Sequence, residues 1–359
     1  MNESQYAQLE HMVREREWLK QNHPLRVLFW ECTLRCNMAC RHCGSDCRKV
    51  ALSDDMPLER FTPVLDDIAA HTDPSRIIVF TIGGEPLLRE DLIDCANAIT
   101  QRGFKWGFVT NGLLLDRQML ERVVAAKVKS IAVSIDGLED NHCWMRGHKD
   151  SFRKAVEAVR LLTYTRHVAW DVITCVNRRN YSQLPQLREF LISIGLKHWR
   201  IFTIFPAGRA AKDPQMILTS KEYRGVMDFI RQTRSEGCID LSYSCEGFLG
   251  DYETVVRDKP FRCDAGLSVA SILADGGISG CLSIRSNYRQ GNIATDQFWD
   301  VWQNRFQLYR NRTWLRTGPC AHCEMLRYCD GNGLHLRDED GQLTLCNYHR
   351  IIDRHEGCP

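Results

Sequence analysis

The sequence predicts an α/β fold: a partial (β/α)6 TIM-like barrel followed by a small, irregular, cysteine-rich C-terminal domain. Two observations carry this. Apolar runs of strand length alternate with amphipathic stretches of helix length between residues 26 and 236, the rhythm of βα units around a parallel sheet. The rhythm then stops at Gly237, where cysteines, glycines and short strand-like runs take over.

Residues 3–22 read as one amphipathic helix in an N-terminal segment, 1–25, whose charges suit a solvated face. Strands are predicted over 26–31, 76–82, 106–110, 130–135, 169–176 and 199–205. The helix over 55–70 has Pro57 near its first turn, where a missing N–H costs little. The helix over 90–102 stops at Gly103. Helices over 116–126, 151–163 and 182–194 each start at a capping residue, and the last stops at Gly195. A sixth, over 220–236, stops at Gly237. Six βα units fall short of the eight of a closed barrel, so an open barrel is expected over 26–236. Residues 237–359 form the second domain, too irregular for a large core unaided, and bound metal would supply the missing folding energy.

Composition narrows the function. A hydrophobic fraction of 44% and a charged fraction of 26% describe an ordinary soluble globular chain. The net charge of +2 offers no basic field for nucleic acid. No apolar run reaches the roughly 20 residues of a membrane span, and the charged N-terminus is no secretory signal, so a cytoplasmic protein is expected. Seventeen cysteines are then out of keeping with a disulfide framework. Five lie between Cys32 and Cys47 and five between Cys281 and Cys346, a clustering that suits metal ligation. Cys95, Cys143, Cys175 and Cys238 are scattered and read as small core or surface residues.

Cys36, Cys40 and Cys43 follow the first predicted strand in a C-x3-C-x2-C pattern. Three thiolates on a cubane leave one iron open to chelate a substrate, as an open position marks a catalytic zinc. Zinc held by Cys40 and Cys43 with Cys32, Cys36 or Cys47 satisfies the same spacing. The place of the motif, at the end of a first barrel strand where barrel enzymes put their chemistry, favours the cluster.

Over about residues 26–236 the chain resembles the radical S-adenosylmethionine (SAM) superfamily. Its cysteine signature is met, with His42 at the aromatic position. Gly83-Gly84-Glu85-Pro86 is similar to the family's loop after the second strand, where glycines allow close backbone approach to SAM. The resemblance implies a 4Fe–4S cluster on Cys36, Cys40 and Cys43, and reductive SAM cleavage to a 5′-deoxyadenosyl radical. It also implies SAM contacts from Glu85, Ser134 and Arg146, the last by a charge-assisted pair with the SAM carboxylate. Thr110, Asn111 and Asp136 stand at further strand ends and join the candidate cofactor-binding set.

Cys320, Cys323, Cys329 and Cys346 suit a fully ligated cluster, and equally a structural zinc. With Cys263, Gly276 and Cys281 upstream, and Cys245 before them, the segment looks like the SPASM extension, which usually carries two auxiliary iron–sulfur clusters. The family pattern expects a further cysteine where Gly333 stands. The first auxiliary site, on Cys245, Cys263 and Cys281, therefore has an open iron, has a non-cysteine ligand, or is absent, so one or two auxiliary clusters are expected. Leu282 stands where sulfatase-maturating relatives carry an aspartate, which disfavours formylglycine formation.

The resemblance implies a maturase acting on a peptide or protein, with a reductant such as flavodoxin or ferredoxin. The alternatives are a radical SAM enzyme acting on a small molecule such as a tetrapyrrole, and a non-catalytic iron–sulfur or zinc protein.

Overall fold

The computed structural model describes residues 1–51, 54–244, 246–284 and 286–352. Seven strands pair in sequence order, each parallel to the last: β1 (Val27–Thr33), β2 (Ile78–Gly83), β3 (Lys105–Thr110), β4 (Ser130–Ser134), β5 (Ala169–Val176), β6 (His198–Thr203) and β7 (Asp240–Tyr243). Helix α1 (Glu3–Asn22) precedes them. Helices α2 (Leu58–His71), α3 (Leu92–Gln101), α4 (Arg117–Ala125), α5 (Glu139–Arg146), α6 (Ser151–Leu162), α7 (Leu184–Ser193) and α8 (Ser220–Glu236) occupy the crossovers. Parallel strands need such crossovers, because a tight turn cannot return the chain to the same end of a sheet.

The helices bury their apolar stripes against the sheet. Trp30 of β1 stacks on Phe61 of α2 with centroids 4.0 Å apart, and both side chains are fully buried. Trp106, Phe108, Trp199 and Ile201 continue this core across β3 and β6.

The sheet departs from the sequence-based expectation at both flanks. β7 is a seventh strand, whose Leu241 and Tyr243 are buried while Asp240 is exposed. Four residues, half of them polar, are too few for alternation to stand out in the sequence. On the other flank, β8 (Val269–Ile272) pairs parallel with β1, from Val27↔Val269 to Trp30↔Ile272. β9 (Gly277–Ser279) and β10 (Gly291–Asn292) follow antiparallel, completing a ten-stranded sheet in the order β10-β9-β8-β1-β2-β3-β4-β5-β6-β7. The sheet thus runs through residue 236 into the cysteine-rich segment.

The N-terminal helix has more than a solvated face. Leu9, Met12 and Leu19 of α1 are buried, and Arg16 donates to the carbonyls of Tyr328 (3.0 Å) and Arg327 (2.7 Å). α1 thus clamps the C-terminal cysteine region. No helix among the described residues is long and apolar enough to cross a membrane.

Candidate active site at the strand ends

The loop after β1 carries the first cysteine group. It is closed on itself by Cys36 N–H donating to Arg48 O (2.8 Å) and Arg48 N–H donating to Leu34 O (3.3 Å). The end of β2 presses against it. A Cβ on Gly84 would lie 2.0 Å from Arg35 O, and one on Gly83, at φ 120°, would lie 2.3 Å from Thr33 O. These glycines are needed for the contact between two strand ends. Cys36, Cys40 and Cys43 line one cavity of about 300 Å³, and Cys47 lines it too. Cys47 N–H donates to Cys43 Sγ at 3.4 Å.

His42, Gly83, Gly84, Glu85, Thr110, Asn111, Ser134 and Arg146 line the same cavity. Glu85 is buried; its carboxylate accepts Thr110 Oγ1–H (2.7 Å), Asn111 N–H (2.8 Å) and Leu87 N–H (3.3 Å). Burial outweighs these bonds and pushes the carboxyl up to about 7. Pro86 does not line the cavity and opens the short helix Pro86–Leu88.

Asp136 does not line the cavity either. It is fully buried and pairs with Arg146 Nε at 2.5 Å, and its other oxygen accepts Cys175 N–H at 2.9 Å. Arg146 Nη1 also reaches Cys40 Sγ at 3.7 Å. Helix α5, which the sequence-based reading lacks, delivers Arg146 and ends at Gly147, at φ 65°. His142 of α5 accepts Asp136 N–H through Nδ1, and its burial keeps the ring neutral, with its pKa down to about 3.

Three features were not legible as site residues. Cys175, at the end of β5, presents a ligating atom within 4.8 Å of those of His42 and Asp136, among the strand ends rather than in a remote core. Arg209, after β6, donates to Cys40 O (2.7 Å) and Cys47 O (3.0 Å) and holds the cysteine loop. Arg41 and Arg179 both lie over the Trp144 ring, at 4.6 and 4.5 Å from its centroid, and neither pairs with a carboxylate among the described residues. The rule that parallel-strand enzymes act at strand C-termini would have pointed to the loop after β6.

At the C-terminus, Cys320, Cys323, Cys329 and Cys346 ring one small cavity. Burial pushes the Cys329 thiol up, and its neighbours Cys346, Cys320 and Cys323 add to the rise. Arg337, buried, donates to Cys320 Sγ at 3.3 Å. Cys263 is buried and Cys281 half-buried; Cys245 lies outside the described residues.

The radical SAM superfamily model matches residues 30–191, and that of the iron–sulfur cluster-binding SPASM domain matches residues 263–324. The chain belongs to the radical SAM superfamily. Among its relatives, an AdoMet-dependent heme synthase of Oleidesulfovibrio alaskensis is 26% identical over 90% of this chain and 87% of that protein. The mycofactocin maturase MftC of Mycolicibacterium smegmatis is 28% identical over 85% of this chain and 76% of that protein. SuiB of Streptococcus suis, solved bound to S-adenosylmethionine, shares the fold at a TM-score of 0.68 and 16% identity, over 95% of this chain and 82% of that one.

This radical SAM enzyme uses a 4Fe–4S cluster and SAM, and its SPASM domain carries auxiliary iron–sulfur chemistry. The residues present fit both groups. Three thiols converge on a cavity that also holds a carboxylate and an arginine, matching the ammonium and carboxylate of SAM in charge. The four C-terminal thiols enclose a space with no disulfide among them.

Proposed function

We propose that this radical SAM enzyme acts on a carboxylate-bearing small molecule of the tetrapyrrole class. The observation that carries the reading is the near end-to-end likeness to an AdoMet-dependent heme synthase, 90% of one chain against 87% of the other. The Arg41–Trp144–Arg179 stack supports it: two exposed guanidinium groups without acid partners, adjoining the cysteine loop, suit the carboxylate side chains of such a substrate. On this reading the parallel strands form a partial barrel, with its open mouth at the strand ends.

In the same proposal Cys36, Cys40 and Cys43 hold the cluster. Glu85 receives the SAM ammonium, Arg146 the carboxylate, and Ser134 and the His42 ring complete the pocket. Loaded with cluster and SAM, the site supplies reductive SAM cleavage and hydrogen-atom abstraction. Cys320, Cys323, Cys329 and Cys346 hold an auxiliary cluster. The chain's own work is to orient these groups and, through Met38 and Leu282 in the cavity wall, to keep water out.

The test is anaerobic reconstitution followed by reduction with flavodoxin and incubation with SAM and an iron-containing tetrapyrrole carboxylate. Substrate-dependent 5′-deoxyadenosine and a mass change in the tetrapyrrole are expected. A response to peptides alone would overturn the reading in favour of peptide or protein maturation, the second reading, which the 28% identity to mycofactocin maturase supports. Replacing Arg41 and Arg179 together by alanine should raise KM for the tetrapyrrole about tenfold and leave kcat and iron content in place. An unchanged KM would remove the stack from substrate recognition.

Glu85 makes SAM binding pH-dependent. With its carboxyl at about 7, the charged form that pairs with an ammonium is present above that pH and is lost below it. SAM affinity, measured by equilibrium dialysis between pH 6 and 8, should therefore fall on the acid side. In Glu85→Gln it should be weaker and flat with pH. A flat profile in the parent protein would separate Glu85 from SAM.

A further inference from the structure

A buried cation stands against the C-terminal thiols. Arg337 is buried, and its Nη2 donates to Cys320 Sγ at 3.3 Å. Its other side-chain bonds run to backbone carbonyls: Nε and Nη2 donate to Gly331 O (3.1 and 2.8 Å) and Nη1 to Gly341 O (2.7 Å). Among the described residues the guanidinium pairs with no carboxylate and lies on no aromatic ring. The other buried arginines between residues 246 and 352 differ. Arg257 has Glu253 at 3.5 Å and Arg312 has Asp330 at 3.5 Å, while Arg310 lies 5.0 Å over Trp302 and Arg350 lies 4.0 Å over Tyr223. We propose that Arg337 is the fixed counter-charge of the C-terminal auxiliary cluster and sets its reduction potential through the bond to Cys320. This rests on the reading of Cys320, Cys323, Cys329 and Cys346 as ligands of an iron–sulfur cluster, and adds the group that tunes it.

The physical case is one of charge. A guanidinium keeps its proton, so burial cannot neutralise it. A buried charge left without an opposite charge is costly. Carbonyl dipoles meet part of that cost, but they carry no net charge, and neither does a protonated thiol. Thiolates bound to a metal cluster supply the missing negative charge, with Cys320 Sγ already in hydrogen-bond contact. The dependence runs the other way too. A cluster on four thiolates is an anion that gains a further electron on reduction, so a cation beside it favours the reduced form. A hydrogen bond to a ligand sulfur acts in the same direction, because it draws charge off the sulfur. The backbone of Arg337 is itself held. It forms an antiparallel bridge with Leu343, its N–H donates to Leu334 O (3.3 Å), and its carbonyl accepts Ser286 Oγ–H (2.8 Å). The guanidinium fork is thus aimed at Cys320 by its own loop, with Gly331 O and Gly341 O fixing its orientation.

The experiment uses the full chain, anaerobically reconstituted, in a C36A/C40A/C43A background, so that only auxiliary iron is read. The C-terminal cluster is identified there as the signal, and the roughly four irons per chain, that disappear on adding Cys329→Ala. If no iron is lost, or the thiols hold zinc instead, the cluster reading itself fails, and the proposal with it. With iron in place, the reduced protein carrying isotopically labelled nitrogen in its arginine side chains should show a nitrogen coupling to that cluster by pulsed electron paramagnetic resonance. Arg337→Lys should remove the coupling. In a potential-controlled titration without SAM, Arg337→Gln should shift the ratio of reduced to oxidised cluster about tenfold or more toward the oxidised form, a fall of about 59 mV for one electron. Arg337→Lys keeps the charge and loses the fork, so its potential should fall by less. The coupling is read in the parent background, so it decides even where Arg337→Gln fails to hold iron. Iron without that coupling overturns the proposal. So does an Arg337→Gln variant that keeps its iron and its potential and loses only thermal stability, which would make Arg337 a structural residue of the loop.

Discussion

Replacing any one of Cys36, Cys40 and Cys43 by alanine is expected to abolish SAM cleavage while iron persists at the C-terminal thiols. The three side chains line one cavity at the end of β1, and Cys320, Cys323, Cys329 and Cys346 enclose another. A cubane on three thiolates has none in reserve, whereas the C-terminal ligands are unaffected by the change. Iron should fall by about four per chain, and 5′-deoxyadenosine should disappear from the reduced, SAM-treated protein. Cys47 lines the same cavity, and its backbone N–H donates to Cys43 Sγ. Normal 5′-deoxyadenosine production by any of the three variants would sink the ligand assignment.

Arg146→Ala should weaken SAM binding about ten- to hundredfold without removing iron from the site, the worth of a charge-assisted bond. The structure adds a second consequence. Asp136 is fully buried and has Arg146 as its ion-pair partner, so truncating the arginine strands a buried carboxylate at a cost of about 3–5 kcal/mol. The double variant Arg146→Ala/Asp136→Asn removes that charge and should recover most of the stability, read as the thermal midpoint of the reconstituted protein. SAM affinity should stay low in the double variant if the guanidinium contacts SAM directly. Affinity that returns with stability would make Arg146 a purely structural partner of Asp136. Arg146→Lys separates charge from geometry, because an ammonium cannot reproduce the fork that reaches both Asp136 and Cys40 Sγ.

Much of this centre was legible in the sequence, for a local reason. β1 to β6 announce themselves through runs of apolar residues, and the helices through capping residues and terminal glycines, so the places where strands end can be counted along the chain. Cys36, Glu85, Thr110 and Ser134 each stand at or just beyond such an end, and parallel strands necessarily bring those ends to one edge of the sheet. The two cysteine groups were equally plain, because thiol spacing is a property of the chain itself.

What the tertiary structure alone decided lies in contacts between residues far apart in sequence. β7 and β8 are four-residue strands without strong patterns of their own, held by pairing with β6 and β1. Gly84 is required by Arg35 O, a neighbour only once β1 and β2 are side by side. Arg209 reaches the cysteine loop across 169 residues of chain, and Arg41 and Arg179 meet only through the face of Trp144. Gly333 read as a missing ligand, because a sequence pattern assigns a donor to a position. The fold decides what stands beside that position: the His335 ring, whose Cε1 would lie 2.5 Å from a Cβ built on residue 333.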